Sequence, residues 1–152
     1  MHADATDGKR PGRVLGVDYG DRRVGLSLSD PLGIAARPLM TLERRSRQQD
    51  MDRFRAIVRE HEVVRIVVGL PLDMDGTAGR RAALTRTFID QLREAADVPV
   101  EAWDERLTTV QAERVLIAGD VSRARRRRVI DQVAAVILLQ SWLDARGAGR
   151  SA

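Results

Sequence analysis

The fold of this chain depends most on residues 13–20, which read Arg-Val-Leu-Gly-Val-Asp-Tyr-Gly. The first seven are largely apolar and predict a strand at the centre of a sheet, and Gly20 with Asp21 supplies a turn. Asp18 interrupts the apolar run, where an ionised carboxylate is costly unless it is paired, hydrogen-bonded or bound to a metal ion. Two interpretations stay open: Asp18 belongs to a functional site, or it is a turn residue that hydrogen-bonds the main chain of Gly20 or Asp21.

The segments that follow predict two more strands and a helix. Residues 24–28 alternate apolar and small side chains, as a strand with one buried face does. Residues 34–42 predict a third strand, which Pro38 bends or places at an edge. From about Arg47 the apolar period becomes helical, and the expected buried side contains Met51, Phe54, Ile57, Val58 and His61.

Strands and a helix also alternate in the next part of the chain. Residues 63–70 are almost continuously apolar and predict a strand buried on both faces of a sheet. Residues 100–103 predict a shorter strand. Between the two we expect a helix that Thr77 caps and whose apolar side consists of Leu84, Phe88, Leu92 and Ala95.

Two helices are expected at the end of the pattern. Residues 108–111 form a capping box for a short helix that Gly119 ends. Ser122 caps a long helix that runs to about Arg146, and Gly147 is expected to end it.

The predicted fold class is α/β. The element order β1-β2-β3-α-β4-α-β5-α-α suggests a mixed five-stranded sheet flanked by helices, and this order matches the RNase H-like fold. The 152 residues suit one domain. We expect residues 1–12 to form a disordered leader, residues 13–146 the single domain and residues 147–152 a flexible tail.

Composition excludes several classes of protein. The chain has no cysteine, which excludes disulfide scaffolds, zinc ribbons and thiol catalysis. Aromatic residues make up 3% of it, which argues against a base-stacking platform. It has no signal-peptide pattern and no apolar run near the length of a membrane span, so we expect a cytoplasmic protein without a membrane partner.

Two acidic residues, Asp104 and Glu105, follow the predicted strand 100–103. Functional residues often lie at strand ends and in the loops after them. Because successive side chains of a strand point to opposite faces, only one of the two is expected to reach a site shared with Asp18. Spacing alone leaves both choices open, and it also allows either residue to pair with Arg106 or to cap the next helix.

Asp131 is the third candidate acid. On the predicted long helix it shares a side with Ala134, Ala135, Leu138 and Trp142. This apolar side should face the sheet, so a carboxylate projecting from it needs a positive partner. The alternatives are a functional site and an ion pair with an arginine of the same helix, such as Arg127.

Arginines concentrate near these acids. The net charge is only +4, but five arginines lie within six residues: Arg123, Arg125, Arg126, Arg127 and Arg128. They occupy the first turns of the long helix, where the helix dipole disfavours basic residues. Such a cluster is typical of nucleic-acid binding; the alternative is a solvated helix face. Arg22 and Arg23, in the turn after Asp18, are expected to add phosphate contacts.

The candidate acids come from three distant segments that the predicted fold could bring together. Carboxylates with no nearby His or Cys favour Mg²⁺ or Mn²⁺. Two such ions can activate a water molecule and stabilise the leaving oxygen in phosphodiester hydrolysis. The sequence therefore indicates a metal-dependent nuclease.

Four segments resemble the YqgF family. The first is Gly16-Val17-Asp18-Tyr19-Gly20 with Arg22-Arg23-Val24-Gly25 and Ser29-Asp30, and the second is Val68-Gly69-Leu70-Pro71-Leu72 with Asp75-Gly76. The third is Asp104-Glu105-Arg106-Leu107-Thr108-Thr109, and the fourth is the helical segment from Asp131 to Gln140. The resemblance runs from about Arg13 to Leu143. Departures are Asp73 where Asn is common, and Arg in place of Lys before Asp131.

The resemblance implies an RNase H-like fold, similar to Holliday-junction resolvases, and nuclease activity on precursor 16S rRNA. By position it implies that Asp18, Glu105 and Asp131 are the catalytic, metal-binding carboxylates, and it is the resemblance that selects Glu105 over Asp104. Arg106 joins the arginines expected to bind nucleic acid. The expected partners are precursor rRNA and ribosomal particles, and the expected state is a monomer or weak homodimer.

Three alternatives differ in substrate or class. With the same chemistry, the substrate is a four-way DNA junction. Without catalysis, the arginines serve a nucleic-acid-binding ribosome-assembly factor and the acids are structural. The third is an ATP-binding domain, because Asp18-Tyr19-Gly20 before a glycine-containing hairpin also resembles the first phosphate loop of actin-like ATPases; those proteins have two lobes, and this chain has the length of one.

Overall fold

A computed structural model describes residues 12–72, 79–107 and 123–151 of the chain, with the main chain alone for 123–129 and 148–151. The strands are β1 (Arg13–Tyr19), β2 (Arg23–Ser29), β3 (Ala36–Glu43), β4 (Val63–Leu70) and β5 (Val100–Asp104). The helices are α1 (Arg47–Glu60), α2 (Arg80–Ala95) and α3 (Arg123–Ser151), and a 3-10 turn spans Glu105–Leu107. The predictions for Thr77 and for residues 108–122 lie outside the described residues.

The five strands form one mixed sheet in the order β3-β2-β1-β4-β5. β1 is antiparallel to β2 and parallel to β4, so the predicted central strand does lie at the centre. β3 is an edge strand. Its register with β2 shifts between Leu26, which pairs with Met40, and Ser27, which pairs with Pro38. This placement confirms the expectation for Pro38, which has no N–H to donate to a second neighbour.

One face of the sheet is covered by α1 and α2. Ser46 caps α1 in a reciprocal capping box with Gln49, which fixes the start of the helix. Leu15 and Val17 of β1 contribute to a continuous apolar cluster on this face, together with Phe54 of α1 and Phe88 of α2. The predicted side of α1 is confirmed for its buried residues Met51, Phe54 and Ile57.

The other face of the sheet is covered by α3, which lies across β1, β2 and β3. Its apolar cluster is smaller and consists of Val14, Val67, Leu138, Leu139, Trp142 and Leu143. The β1 residues on this face are Val14, Gly16 and Asp18, because side chains alternate along a strand. β2 presents Gly25 and the buried Ser27, whose hydroxyl donates to the main-chain oxygen of Ala135 at 2.7 Å.

The predicted apolar side of α2 is partly wrong. Leu84 is 48% exposed, whereas Ala82, Thr85, Phe88, Ile89 and Leu92 are buried. The buried stripe includes a threonine because its hydroxyl donates to the main-chain oxygen of Arg81 at 2.9 Å, within the same helix. This internal hydrogen bond offsets the cost of burying the polar atom. The side of α2 that faces the sheet therefore contains Thr85 and not Leu84.

The predicted end of the long helix is also wrong, because α3 continues through Gly147 to Ser151. A glycine ends a helix when it adopts the left-handed conformation. Among the described glycines, Gly33 alone has a positive φ, of 73°. Gly33 stands in the turn between β2 and β3, where Asp30 accepts from the Ile34 N–H at 2.8 Å.

None of the helices in the described ranges is long and apolar enough to cross a membrane.

Candidate active site

Asp18 and Glu105 form a carboxyl pair at one end of the central strand. Asp18 is the penultimate residue of β1, and Glu105 begins the 3-10 turn directly after β5. The two side chains are joined by a hydrogen bond, and Asp131 lies close enough to add its negative charge. Burial first, then the charge and hydrogen bond of Glu105, then the charge of Asp131 raise the pKa of Asp18 to about 7.

Gly69 leaves the space in which the Glu105 side chain lies. Val17 of β1 pairs with Val68 of β4, so Asp18 and Gly69 are each one residue beyond this pair in parallel strands. A Cβ atom at Gly69 would lie 2.7 Å from Glu105 Oε1 and 3.0 Å from its Cγ. No ordinary side chain fits there without moving Glu105, so a glycine is what permits the carboxyl pair.

Gly25 has the same function on the other side of Asp18. It is the residue of β2 that pairs with Asp18 across the antiparallel ladder. A Cβ atom at Gly25 would lie 2.0 Å from the main-chain oxygen of Asp131. The main chain of α3 can therefore approach the sheet at Gly25, and this approach places Asp131 next to the central strand.

Asp131 is held by an arginine from β2. Arg23 Nε donates to Asp131 Oδ2 at 3.0 Å, and the two side chains are 34% and 24% exposed. Ala135, Leu138 and Trp142 are buried on the same side of α3, as predicted, whereas Ala134 is only partly buried. Among the described side chains, the positive partner of Asp131 is therefore Arg23 of β2. The side chain of Arg127, the partner considered in the sequence, lies outside the described residues.

Asp104 has a different environment from Glu105. It accepts hydrogen bonds from the Arg106 N–H at 2.9 Å and from the Arg106 guanidinium at 2.6 Å. The Arg106 hydrogen bonds hold the pKa of Asp104 below its usual value. The structure therefore brings Glu105 to Asp18 and leaves Asp104 with Arg106, which is the choice that spacing alone could not make.

The expected phosphate-binding arginines are distributed over several elements. Arg22 is exposed in the turn before β2, and Arg23 and Arg106 take part in the ion pairs just described. Arg123, Arg125, Arg126, Arg127 and Arg128 lie on the turns of α3 that precede Asp131, and their side chains are outside the described residues.

Three residues of this site escaped the sequence analysis. Gly25 and Gly69 were identified only as parts of a family motif, although a glycine inside a strand often marks a close approach. Arg81, in the first turn of α2, lies close enough to Asp18 that its charge lowers the pKa of that carboxyl, against the larger raising effects. Arg81 carries the same sequence signal as the arginines of the long helix, because Arg80 and Arg81 begin α2 without an acidic residue.

The carboxyl pair fits a divalent cation by its chemistry. Its oxygen atoms are hard ligands, and burial together with the charges of Glu105 and Asp131 raises the pKa of Asp18, against the opposing charge of Arg81. Within the described part of the chain, no three His, Cys, Asp or Glu side chains are yet arranged to hold a metal ion. Asp18 and Glu105 suit such an ion as they stand, whereas Asp131 is turned to Arg23.

Known proteins resemble this chain over nearly its whole described length. A protein of Symbiobacterium thermophilum named "Putative pre-16S rRNA nuclease" is 54% identical over 136 residues, which cover 90% of this chain and 94% of that protein. A protein of Myxococcus xanthus with the same name is 50% identical over 133 residues, or 88% of each chain. These names agree with the resemblance implied by the sequence motifs.

The fold and the family follow from two further comparisons. The structure of T. thermophilus RuvC in complex with a Holliday junction substrate matches with a TM-score of 0.60 at 16% identity, covering 90% of this chain and 96% of that one. This match, with the sheet order, confirms the predicted RNase H-like fold. The family model described as RuvX, Holliday junction resolvase, matches residues 12–145. The chain belongs to the RuvX Holliday junction resolvase family.

Proposed function

We propose that this protein is a divalent-metal-dependent endonuclease that hydrolyses phosphodiester bonds in structured nucleic acid, with precursor 16S rRNA as its substrate. The observation that carries the proposal is the convergence of Asp18 and Glu105 in one partly buried pair, with the charge of Asp131 beside it. Relatives about half identical to this chain are named for the same RNA, which supports RNA over DNA.

In this proposal Asp18, Glu105 and Asp131 hold Mg²⁺ or Mn²⁺ through their carboxylate oxygens. When bound, such ions lower the pKa of a water molecule and stabilise the charge on the leaving oxygen. Asp18 keeps a proton near neutral pH in the metal-free protein because of its burial and of Glu105, and it gives up this proton when it acts as a ligand. In hydrolysis the attacking water gives up a proton to the solvent as its oxygen bonds to phosphorus, and the opposite phosphorus–oxygen bond breaks, with the leaving oxygen taking a proton from the solvent.

The arginines supply the contacts to the substrate. Arg22 lies in the turn after β1, Arg23 begins β2 and pairs with Asp131, and Arg106 follows Glu105. The five arginines at the start of α3 precede Asp131 in the sequence and add positive charge. Phosphate contacts of this kind position a nucleic acid without reading its bases. The arginines therefore account for binding of a folded RNA, and the cleavage site is selected by the shape of that RNA.

The test is Mn²⁺-dependent cleavage of a precursor 16S rRNA transcript, with a four-way DNA junction assayed in parallel. We expect Asp18→Asn, Glu105→Gln and Asp131→Asn each to lower the rate at least about 100-fold. The matched controls are Asp90→Asn and Glu94→Gln, exposed residues of α2, and they should cleave at the wild-type rate.

Three outcomes would change the proposal. Wild-type rates in all three variants would show that the carboxylates are not the site of hydrolysis. Cleavage of the junction alone would replace the substrate and keep the chemistry. Binding of precursor rRNA by the wild type without any cleavage would identify a non-catalytic assembly factor.

A further inference from the structure

Asp131 differs from the other two carboxylates in having an arginine partner. Arg23 Nε lies 3.0 Å from Asp131 Oδ2, and this ion pair joins β2 to α3. Asp18 and Glu105 are joined instead to each other. The described structure therefore contains a site with two converged carboxylates and a third whose charge is neutralised by a guanidinium.

The main chain of Asp131 has little freedom to move. Its carbonyl oxygen and its Cβ lie against Gly25, at 2.0 Å and 3.0 Å from the position that a Gly25 Cβ would take. Arg23 and Gly25 are on the same face of β2, because they are two residues apart in a strand. Gly25 thus fixes where the residue stands, and Arg23 determines where its carboxylate points.

The ion pair is suited to exchange. It has one short contact and both side chains are about one quarter to one third exposed, so solvent screens their attraction. A divalent cation held by Asp18 and Glu105 would attract the Asp131 carboxylate with two positive charges, against the single charge of the Arg23 guanidinium. The exchange requires the Asp131 side chain to turn from Arg23 toward Asp18, whose pKa its charge already raises.

We propose that Arg23 is a positioning residue, the resting counter-ion of Asp131, and that Asp131 exchanges this guanidinium for a divalent cation held by Asp18 and Glu105. The proposal rests on the metal site of the proposed function and adds how its third ligand is controlled. It assigns Arg23 two successive partners: Asp131 in the metal-free protein, and a substrate phosphate once the carboxylate has left.

The test is the affinity for Mn²⁺, measured by titration calorimetry on the full chain without nucleic acid. Arg23→Gln removes the competing guanidinium, and we expect Mn²⁺ to bind about fivefold more tightly, equivalent to ~1 kcal/mol. Arg22→Gln is the matched control, since it removes the same charge from the adjacent, exposed position; its effect should stay within about twofold. Arg23→Lys keeps a positive charge and should give an intermediate affinity.

A double variant separates direct contact from general charge. In the Asp131→Asn background the carboxylate is already absent, so adding Arg23→Gln should give no further gain in affinity. Weaker Mn²⁺ binding by Arg23→Gln would overturn the proposal, because it would mean that Arg23 holds Asp131 in its ligating position. Equal gains from Arg22→Gln and Arg23→Gln would also overturn it. A wild type that binds no Mn²⁺ would refute the proposed metal site itself, and the exchange with it.

Discussion

The two faces of the sheet are built for different purposes. The face under α1 and α2 is filled by large apolar side chains such as Leu15, Leu26 and Phe54, each with 1% exposure or less. The face under α3 has a smaller apolar cluster, the buried Ser27 opposite Gly16, and at the end near Asp18 glycines and carboxylates. The same five strands thus contribute a continuous core to one side and a mixture of apolar and functional groups to the other.

Because successive side chains of a strand face opposite sides of the sheet, the residues that stabilise the fold are separated from those of the candidate site. In β1, Leu15 and Val17 face the apolar cluster, and Gly16 and Asp18 face α3. A substitution on the first face should change stability and leave the ligands in place, whereas a substitution on the second should change the site and can even stabilise the fold. Three substitutions test whether the two faces are independent.

The largest expected effect is on the apolar face. Phe54 is 1% exposed, and its ring lies 5.6 Å from that of Phe88. Phe54→Ala should lower the free energy of unfolding by about 4 kcal/mol, because it removes buried apolar area and leaves a cavity. Urea unfolding measures the loss, and Leu84→Ala, at a residue 48% exposed, should cost less than about 1 kcal/mol. A fall in Mn²⁺ affinity of the folded Phe54 variant would contradict the separation of the faces.

A smaller effect of opposite sign is expected at Asp18. The pKa of Asp18 is about 7 in the folded protein, above its usual 3.8. Between these values the unfolded chain loses the proton that the folded protein keeps, so the stability of the metal-free protein falls as pH rises from about 4 to 7. Asp18→Asn should therefore stabilise the protein by about 2 kcal/mol at pH 8 and have almost no effect at pH 4.

This prediction is measured by thermal or urea unfolding at both pH values with a chelator present. Addition of Mn²⁺ should then stabilise the wild type and not the Asp18 variant, because a ligand that binds the folded state alone raises its stability. A variant equally or less stable than the wild type at pH 8 would show that the carboxyl is already compensated in the fold.

The smallest change in stability is expected at Gly69. In Gly69→Ala the new Cβ would meet the flexible end of Glu105, at 2.7 Å from Oε1, so the side chain can turn away. We expect a loss below about 1 kcal/mol and a fall in the pKa of Asp18, because the charge and hydrogen bond of Glu105 help to raise it. Carbon-13 NMR titration of the Asp18 carboxyl measures the pKa.

The control for this substitution is Gly147→Ala, where a Cβ would meet no atom within 4 Å. Its effect on the Asp18 titration should be absent. An unchanged Asp18 pKa in Gly69→Ala would mean that Glu105 keeps its contact and that the space at Gly69 is not what forms the pair.

Much of the fold could be predicted from the sequence, because period and capping are local properties. The strand 63–70 was predicted with the bounds that the structure shows, and the start of α1 near Arg47 agrees with its capping box at Ser46. The side of α2 was mistaken because a threonine can bury its hydroxyl by bonding its own helix. The end of α3 was mistaken because a glycine alone does not ensure a left-handed turn.

The site could be predicted only in part, for a different reason. Asp18 and Asp131 were recognisable from their own segments, since an acid in an apolar strand or on an apolar helix side is unusual. Glu105 was distinguished from Asp104 only by the family resemblance. The partners of the carboxylates were not recognisable. Arg23 and Asp131 are 108 positions apart in the sequence, and Arg81, whose charge lowers the pKa of Asp18, lies on α2. Pairings of this kind depend on three-dimensional approach, which the main chain of α3 achieves at Gly25.

The packing of α3 against Gly25 also determines when, during synthesis of the chain, the complete site can form. Proteins emerge from the ribosome from the N-terminus onward, and contacts between distant segments form late. Asp18 and Glu105 can meet once Glu105 has left the ribosome, whereas Asp131, which is 26 residues further along the chain, reaches β2 only after α3 has docked. A nascent chain therefore carries an incomplete set of acidic groups, and the finished domain is the first form in which all three stand together.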